Sequence, residues 1–113
     1  MEIKSVIHES HSTAIKKGWW DPPGRQIPEL LALVHSEVSE ALESYREIGP
    51  EQLNKMWYEE TKGKPEGFTV ELADIIIRIA DMCGEFDLDL DKALAEKMAY
   101  NKTRSYRHGN KVV

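Results

Sequence analysis

The stretch that decides the fold is VELADIIIRIADMC, residues 70–83. When it is wound as an α-helix at about 100° per residue, apolar side chains cover most of its circumference. Four polar residues share one sector that is about 80° wide, and they are Glu71, Asp74, Arg78 and Asp81. A helix that is apolar almost all round belongs in an interior, where carboxylates need compensation for lost hydration. We therefore expect a central helix whose acidic stripe faces a partner.

Length and composition indicate one globular domain. The chain has 113 residues, 41% of them hydrophobic and 31% charged, with a net charge of −5. A single domain over residues 1–113 is the expectation. Every acidic residue lies at or before Glu96, whereas five Lys and Arg residues follow from Lys97 onward. This cationic end on an acidic body suits an anionic ligand better than a nucleic acid.

The remaining composition favours the cytoplasm. The lone cysteine, Cys83, excludes an internal disulfide. No apolar run reaches the length of a membrane span, and the residues after Met1 lack the apolar core of a signal peptide. A cytoplasmic location is therefore the default expectation, with neither a membrane nor a nucleic acid as partner.

Hydrophobic periodicity predicts three further helices around the central one. The expected bounds are residues 2–17, from near Pro28 to about Glu47, from Phe68 or Thr69 to Gly84, and from residues 89–91 onward. Residues 51–58 are expected to form a short helix, and no strand is predicted. Residues after about 105 lack periodicity, so this tail is expected to be either disordered or ordered by a ligand. The predicted fold class is all-α, an antiparallel bundle of four main helices.

Two acidic pairs with the same spacing lie on consecutive long helices, Glu37 with Glu40 and Glu71 with Asp74. If the helices pack antiparallel, four carboxylates meet at one crossing, where like charges either take up protons or bind cations. Oxygen ligands favour Mg²⁺, with Mn²⁺ as an expected substitute, and the chain has no Cys and His set for zinc. Mg²⁺ held by carboxylates often takes substrate phosphates as further ligands, so the pairs indicate hydrolysis at phosphorus.

A basic stripe on the fourth helix could hold those phosphates. Lys97, Asn101 and Arg104 recur at i, i+4 and i+7, which places them on one side of the helix. The other face of this helix, including Leu94 and Met98, is expected to be buried. Such a stripe alone more often faces solvent, and an acidic pair at this spacing is also common on solvated helices. The conjunction of two matched pairs with one basic stripe favours a site.

Two charged residues of the central helix have alternative interpretations. Arg78 could neutralise Glu71 or Asp74 as an ion pair, or it could support the metal site from behind its ligands. Asp81 could cap a helix, pair with a Lys or Arg, or join the same site. The spacing leaves both choices open.

Three segments together resemble a known family. Residues 33–41 read LVHSEVSEA, residues 71–75 read ELADI, and Lys97, Asn101 and Arg104 complete the set. This combination resembles the MazG-like all-α nucleoside triphosphate pyrophosphohydrolases, a superfamily that includes dCTP pyrophosphatases, dimeric dUTPases and phosphoribosyl-ATP pyrophosphatases. The resemblance covers residues 8–108, which is nearly the whole chain.

The resemblance implies hydrolysis of an NTP or dNTP between the α and β phosphates, which gives a nucleoside monophosphate and pyrophosphate. It implies that the four carboxylates of the acidic pairs hold Mg²⁺ and that one of them activates water. It also implies that the basic stripe contacts phosphate or sugar, and that the chain forms a homodimer or homotetramer.

The resemblance does not imply which nucleotide base the protein prefers. In the dCTP pyrophosphatases a His and a Trp nine residues later help to form the base pocket, and His11 and Trp20 have that spacing here. The same branch has a Trp where this chain has Glu47 and a Tyr where it has Arg78, so a preference for cytosine is not implied. Two alternatives to this function stay open: a phosphoribosyl-ATP-type hydrolase, and a non-catalytic helical module that binds a nucleotide or a partner.

Overall fold

The computed structural model describes residues 1–106, which form four α-helices and one small antiparallel sheet. The helices are α1 (Ile3–Lys16), α2 (Ile27–Ile48), α3 (Phe68–Glu85) and α4 (Leu90–Thr103). The strands are β1 (Trp57–Tyr58) and β2 (Pro65–Glu66). The mainly helical class is confirmed, while most of the predicted tail lies outside the described residues. Across residues 1–106, no helix combines the length and the hydropathy that a membrane span requires.

The central position belongs to α3, because α1 and α2 both pack against it. Along the contact with α2, Glu37 meets Arg78. Further along, the Tyr45 ring lies edge-on to Phe68, with 6.4 Å between the ring centroids. Since higher residue numbers on α2 meet lower numbers on α3, the two helices run antiparallel. This arrangement brings the acidic pairs of the two helices to the same level.

The packing of α1 on α3 depends on a glycine. A Cβ atom built on Gly84 would lie 2.5 Å from Cβ of His11, so only a residue without a side chain allows this approach. The prediction that Gly84 closes the helix is wrong, because α3 continues to Glu85. Gly84 allows the close packing of two helices. A glycine near the end of a predicted helix looks the same in the sequence whether it ends the helix or allows such packing.

Residues 50–66 also differ from the predicted short helix. Pro50–Gln52 form a 3₁₀ helix, and Trp57 and Tyr58 form β1. Trp57 donates a hydrogen bond from Nε1 to Oε2 of Glu66, its partner across the sheet, at 3.0 Å. The apolar residues that indicated a helix are therefore used in a hairpin, and its pairing partner lies too far along the chain for a local pattern to reveal.

The fourth helix projects from the three packed helices, and its main contacts are with α1. The prediction that its apolar face is buried is wrong for Leu94 and Met98, which are exposed in this chain. The physical reason is that α4 makes few contacts with the packed helices in the described chain, so little covers its apolar side. The radius of gyration, 16.9 Å, accordingly exceeds the value of about 13 Å expected for a compact chain of this length.

Apolar side chains remain exposed on both long helices. On α2 they form a continuous line at i, i+7, i+11 and i+14, which we call the α2 stripe. Its members are Leu31, Val38, Leu42 and Tyr45, between 40% and 51% exposed. On α3, Leu72 and Ile76 are exposed in the same way. The expectation that α3 is buried all round is therefore wrong for this side of the helix within a single chain.

Candidate metal centre

Two helices each supply a pair of carboxylates to one place on the protein. Glu37 and Glu40 lie one turn apart on α2, and Glu71 and Asp74 lie one turn apart near the start of α3. Glu37, Glu71 and Asp74 each offer a carboxylate oxygen, and the three oxygens lie within 4.8 Å of one another. Among residues 1–106, no other set of three His, Cys, Asp or Glu side chains comes this close.

Charge repulsion and burial both act on these carboxyl groups. A hydrogen bond with Glu37, followed by the charge of Glu37, raises the pKa of Glu40. Burial, followed by the charge of Asp74, raises the pKa of Glu71. Burial, followed by the charge of Glu37, raises the pKa of Asp74. The three groups therefore hold protons more strongly than free carboxyl groups do, as is usual where acids crowd together without enough positive charge.

Two cations compensate part of this charge. Arg78 donates a hydrogen bond from Nε to Oε1 of Glu37 at 2.7 Å, and the Glu37 side chain is only 11% exposed. The charge of Lys64, in the loop before β2, opposes the rise in the pKa values of Glu71 and Asp74. Sequence reasoning missed Lys64, because residues 62–67 had only the pattern of a polar loop. The sole available signal was a Lys-Gly-Lys run shortly before the acidic helix.

The carboxylates open onto a cavity of about 620 Å³, a volume that suits a small organic ligand. The cavity lies between α1, α2, α3 and the loop that joins α1 to α2. Its other walls also carry two charged side chains, Glu9 and Arg25. The remaining part is apolar or weakly polar and includes Val6, Ser10, Thr13, Ala14, Trp19 and Ile77. Trp19 is 64% exposed, so its indole could stack on a ligand. Trp19 is not among the site residues that the motifs predict, because a loop tryptophan more often belongs to a core or an interface than to a base-stacking site. An acidic wall opposite apolar ones can take a metal-bound anion that carries an apolar or aromatic body.

His11 and Trp20, the predicted base-pocket residues, meet at a third residue. His11 Nδ1 and Trp20 Nε1 each lie 2.9 Å from the same oxygen of Asp81, Oδ1. The other ring nitrogen of His11 lies 3.4 Å from Glu85 Oε1. Asp81 lines the cavity, whereas within the described chain His11 and Trp20 do not. In this arrangement the two rings hold Asp81 against the wall of the site, and a direct contact between these rings and a base stays a prediction.

The basic stripe lies elsewhere in the single chain. Lys97 and Arg104 both stack on Tyr100, with cation-to-ring distances of 5.2 and 5.7 Å. Neither these two residues nor Asn101 lines the cavity within residues 1–106. The structure thus brings the four predicted carboxylates, Arg78 and Asp81 to one cavity, and it leaves the stripe apart from them.

The donor set fits a hard divalent cation. The three clustered ligands are carboxylates, and octahedral Mg²⁺ binds such oxygens at about 2.1 Å, which places neighbouring ligand atoms about 3 Å apart. The three oxygens lie within 4.8 Å of one another, so they would have to move closer together to occupy neighbouring positions around such an ion. The absence of His and Cys from the cluster disfavours zinc.

No family model, curated protein or solved structure matches the chain in comparisons with known proteins. The resemblance to the MazG-like superfamily therefore stays a prediction from motifs, and the function has to be argued from the geometry of the site.

Proposed function

We propose that this protein is a Mg²⁺-dependent nucleoside triphosphate pyrophosphohydrolase that converts an NTP or dNTP into its monophosphate and pyrophosphate. The observation that carries the proposal is the convergence of Glu37, Glu71 and Asp74 at one wall of a cavity large enough for a nucleotide. Oxygen-only ligands beside an open cavity are the arrangement in which Mg²⁺ keeps coordination sites for water and phosphate.

Each carboxylate has a distinct task in this proposal. Glu37, Glu71 and Asp74 would hold the metal ion, which would supply polarisation of the phosphate oxygens and a lower pKa for bound water. Glu40 lies outside the group of three and keeps its proton more strongly than a free carboxyl group. This makes it the best candidate for the general base. In the reaction the water oxygen forms a bond to phosphorus, Glu40 accepts the proton, and pyrophosphate leaves with the electrons of the broken P–O bond.

The proposal includes a homodimer or homotetramer. The chain exposes 8974 Å², whereas a folded monomer of 13.0 kDa exposes about 6,300 Å². The excess includes the α2 stripe, and the stripe has the helical spacing of a packing surface. A second copy of this chain covers it in the assembly that we propose. Because α4 projects from the body, its basic stripe can then reach phosphates at the acidic cluster of another copy.

Pyrophosphate release from a panel of NTPs, dNTPs and phosphoribosyl-ATP, with Mg²⁺ or with EDTA, tests the activity. We expect Mg²⁺-dependent release from at least one nucleoside triphosphate. Release from phosphoribosyl-ATP alone would replace the substrate class. Nucleotide binding without release from any substrate would instead favour a non-catalytic module.

A second measurement tests the metal ion separately from the activity. Mg²⁺ binds only the folded cluster, so it should raise the melting temperature in the absence of nucleotide. An unchanged melting temperature at millimolar Mg²⁺ would contradict the metal assignment.

A further inference from the structure

Arg78 is attached to a side chain that the metal ion would need. Its Nε donates to Oε1 of Glu37 at 2.7 Å, and Glu37 is one of the three clustered ligands. The Arg78 side chain is 39% exposed and lines the cavity. Within residues 1–106 the two terminal nitrogens of its guanidinium donate no hydrogen bond. Arg78 therefore has unused donors that are accessible from the cavity.

The cavity wall carries more negative than positive charge, which favours the binding of a divalent cation. Six carboxyl groups and three basic side chains line the cavity, so negative charge is in excess there when the carboxyl groups are ionised. A divalent ion offsets part of this excess, but it also binds Glu37, the carboxylate that Arg78 already holds. Two cations that share one carboxylate repel each other at this range. The guanidinium and the metal ion thus compete for Glu37.

We propose that Arg78 is a displaceable counter-ion that becomes a phosphate ligand. In the metal-free protein it neutralises the nearly buried Glu37. When a divalent cation binds the cluster, the guanidinium leaves Glu37 and turns toward the polyphosphate chain of the substrate. The planar guanidinium binds phosphate through paired hydrogen bonds. This role rests on the proposed function, and it gives the single chain a phosphate-binding cation without α4.

The competition makes a prediction that an ordinary structural arginine would not. Arg78→Gln removes the competitor, so Mg²⁺ titrated alone, without nucleotide, should bind about three- to tenfold more tightly. The same variant should bind a non-hydrolysable triphosphate analogue, with saturating Mg²⁺, about tenfold more weakly, because charge-assisted hydrogen bonds to phosphate are lost. Opposite changes in the two affinities are the signature of a displaced ligand.

Two further variants serve as controls for charge and for fold. Arg78→Lys keeps a positive charge beside Glu37, so it should fold and bind Mg²⁺ with nearly the wild-type affinity while still losing analogue affinity. Arg46→Gln is the matched control, because Arg46 is exposed on α2 and pairs with Glu43 at 2.9 Å. It should change neither affinity, and circular dichroism verifies the fold of each variant.

Unchanged or weaker Mg²⁺ binding by Arg78→Gln would overturn the exchange at Glu37. Unchanged affinity for the analogue would overturn the phosphate contact. Failure of the wild-type protein to hydrolyse any triphosphate would reject the proposed activity, and the titration with the metal alone would still decide whether Arg78 competes for the cluster.

Discussion

Glu40 and Glu43 lie on the same helix, one turn apart, but their surroundings differ. Glu40 has a raised pKa because of its hydrogen bond to Glu37 and the charge of that residue. Glu43 is exposed and pairs only with Arg46 in the part of the chain that the structure describes. Glu40 and Glu43 therefore allow a matched test, in which the same change from carboxyl group to amide is made inside the candidate site and outside it.

Glu40→Gln should abolish turnover while leaving the fold intact. The amide cannot accept the proton of water, and loss of a general base typically costs a factor of about 10²–10⁴ in rate. Stability should not fall, because one of several repelling charges is removed. The measurement is pyrophosphate release together with a thermal melt, and Glu43→Gln should match the wild type in both. Loss of the helical circular dichroism signal in Glu40→Gln would contradict this assignment.

The raised pKa values of Glu40, Glu71 and Asp74 predict the pH dependence of stability without metal. Each group binds its proton more strongly in the folded than in the unfolded state. Between the ordinary carboxyl pKa, about 4, and the raised values, the folded state thus holds more protons. The contribution of the cluster to stability is complete below about pH 4 and is lost as the pH rises through that window.

Thermal melts in EDTA from about pH 4 to about pH 7 measure this effect when wild type is compared with Glu71→Gln. The variant lacks one titrating group of the cluster, so its melting temperature should fall less, or rise more, across the range. Saturating Mg²⁺ should stabilise the wild type more than Glu71→Gln, because the variant lacks one of the three clustered ligands. Parallel pH profiles in EDTA would contradict the role of crowding in the cluster.

The four carboxylates of the candidate site could be predicted from the sequence, because the identical spacing of two acidic pairs is a local pattern. The contacts that Arg78 and Lys64 make with these carboxylates could not be predicted in this way. A pattern on α3 indicates that Arg78 shares a face with acids, but not that it bonds to Glu37 on another helix. Lys64 comes to the site through a hairpin whose strands have only two residues each, too short to produce a periodic signal.

At the scale of elements, Gly84 sets the distance between α1 and α3. Gly84→Ala has two opposing effects. Alanine gains about 1 kcal/mol of helix propensity, but its Cβ would lie 2.5 Å from Cβ of His11, an atom fixed by the backbone. Overpacking of this kind typically costs about 1–3 kcal/mol, and the displaced His11 would also lose its hydrogen bond to Asp81.

We therefore expect a net loss of stability in Gly84→Ala, measured by urea unfolding at a fixed protein concentration. Ser39→Ala on the exposed surface of α2 is the control, and it should stay within about 0.5 kcal/mol of the wild type. A stabilised Gly84→Ala protein would mean that α1 moves away from α3 at little cost.

The elements themselves were predictable to different degrees. The three packed helices have strong helical periodicity, so their bounds follow from the sequence to within one residue. Gly49 is a true stop after α2, whereas Gly84 lies inside α3. Residues 50–66 were assigned wrongly because Trp57 finds its hydrogen-bond partner nine residues away, at Glu66. The prediction of a helix at α4 was correct, but its periodicity does not indicate whether the same chain or another molecule covers its apolar side.

At the scale of the whole molecule, the buried core is small for its length. Among the described hydrophobic residues, those that are buried are Ala14, Leu30, Ala41, Ala80 and Cys83. Three of these five are alanines, which contribute little apolar area. The four larger apolar side chains of the α2 stripe are exposed instead. A chain with this distribution gains much of its hydrophobic stabilisation only when a second surface covers the exposed side chains.

The last prediction follows from that exposed surface. Leu42 is 49% exposed at the middle of the α2 stripe, so an aspartate there should dissociate the proposed assembly by placing a charge in an apolar interface. Sedimentation should show a lighter species for Leu42→Asp, and its melting temperature should lose its dependence on protein concentration. Leu42→Met is the matched control, since it keeps the apolar volume and should remain assembled. If the wild-type protein sediments as a monomer, or if Leu42→Asp sediments like the wild type, then the α2 stripe is not the surface that joins the copies. The basic residues of α4 would then have to reach the acidic cluster by another route.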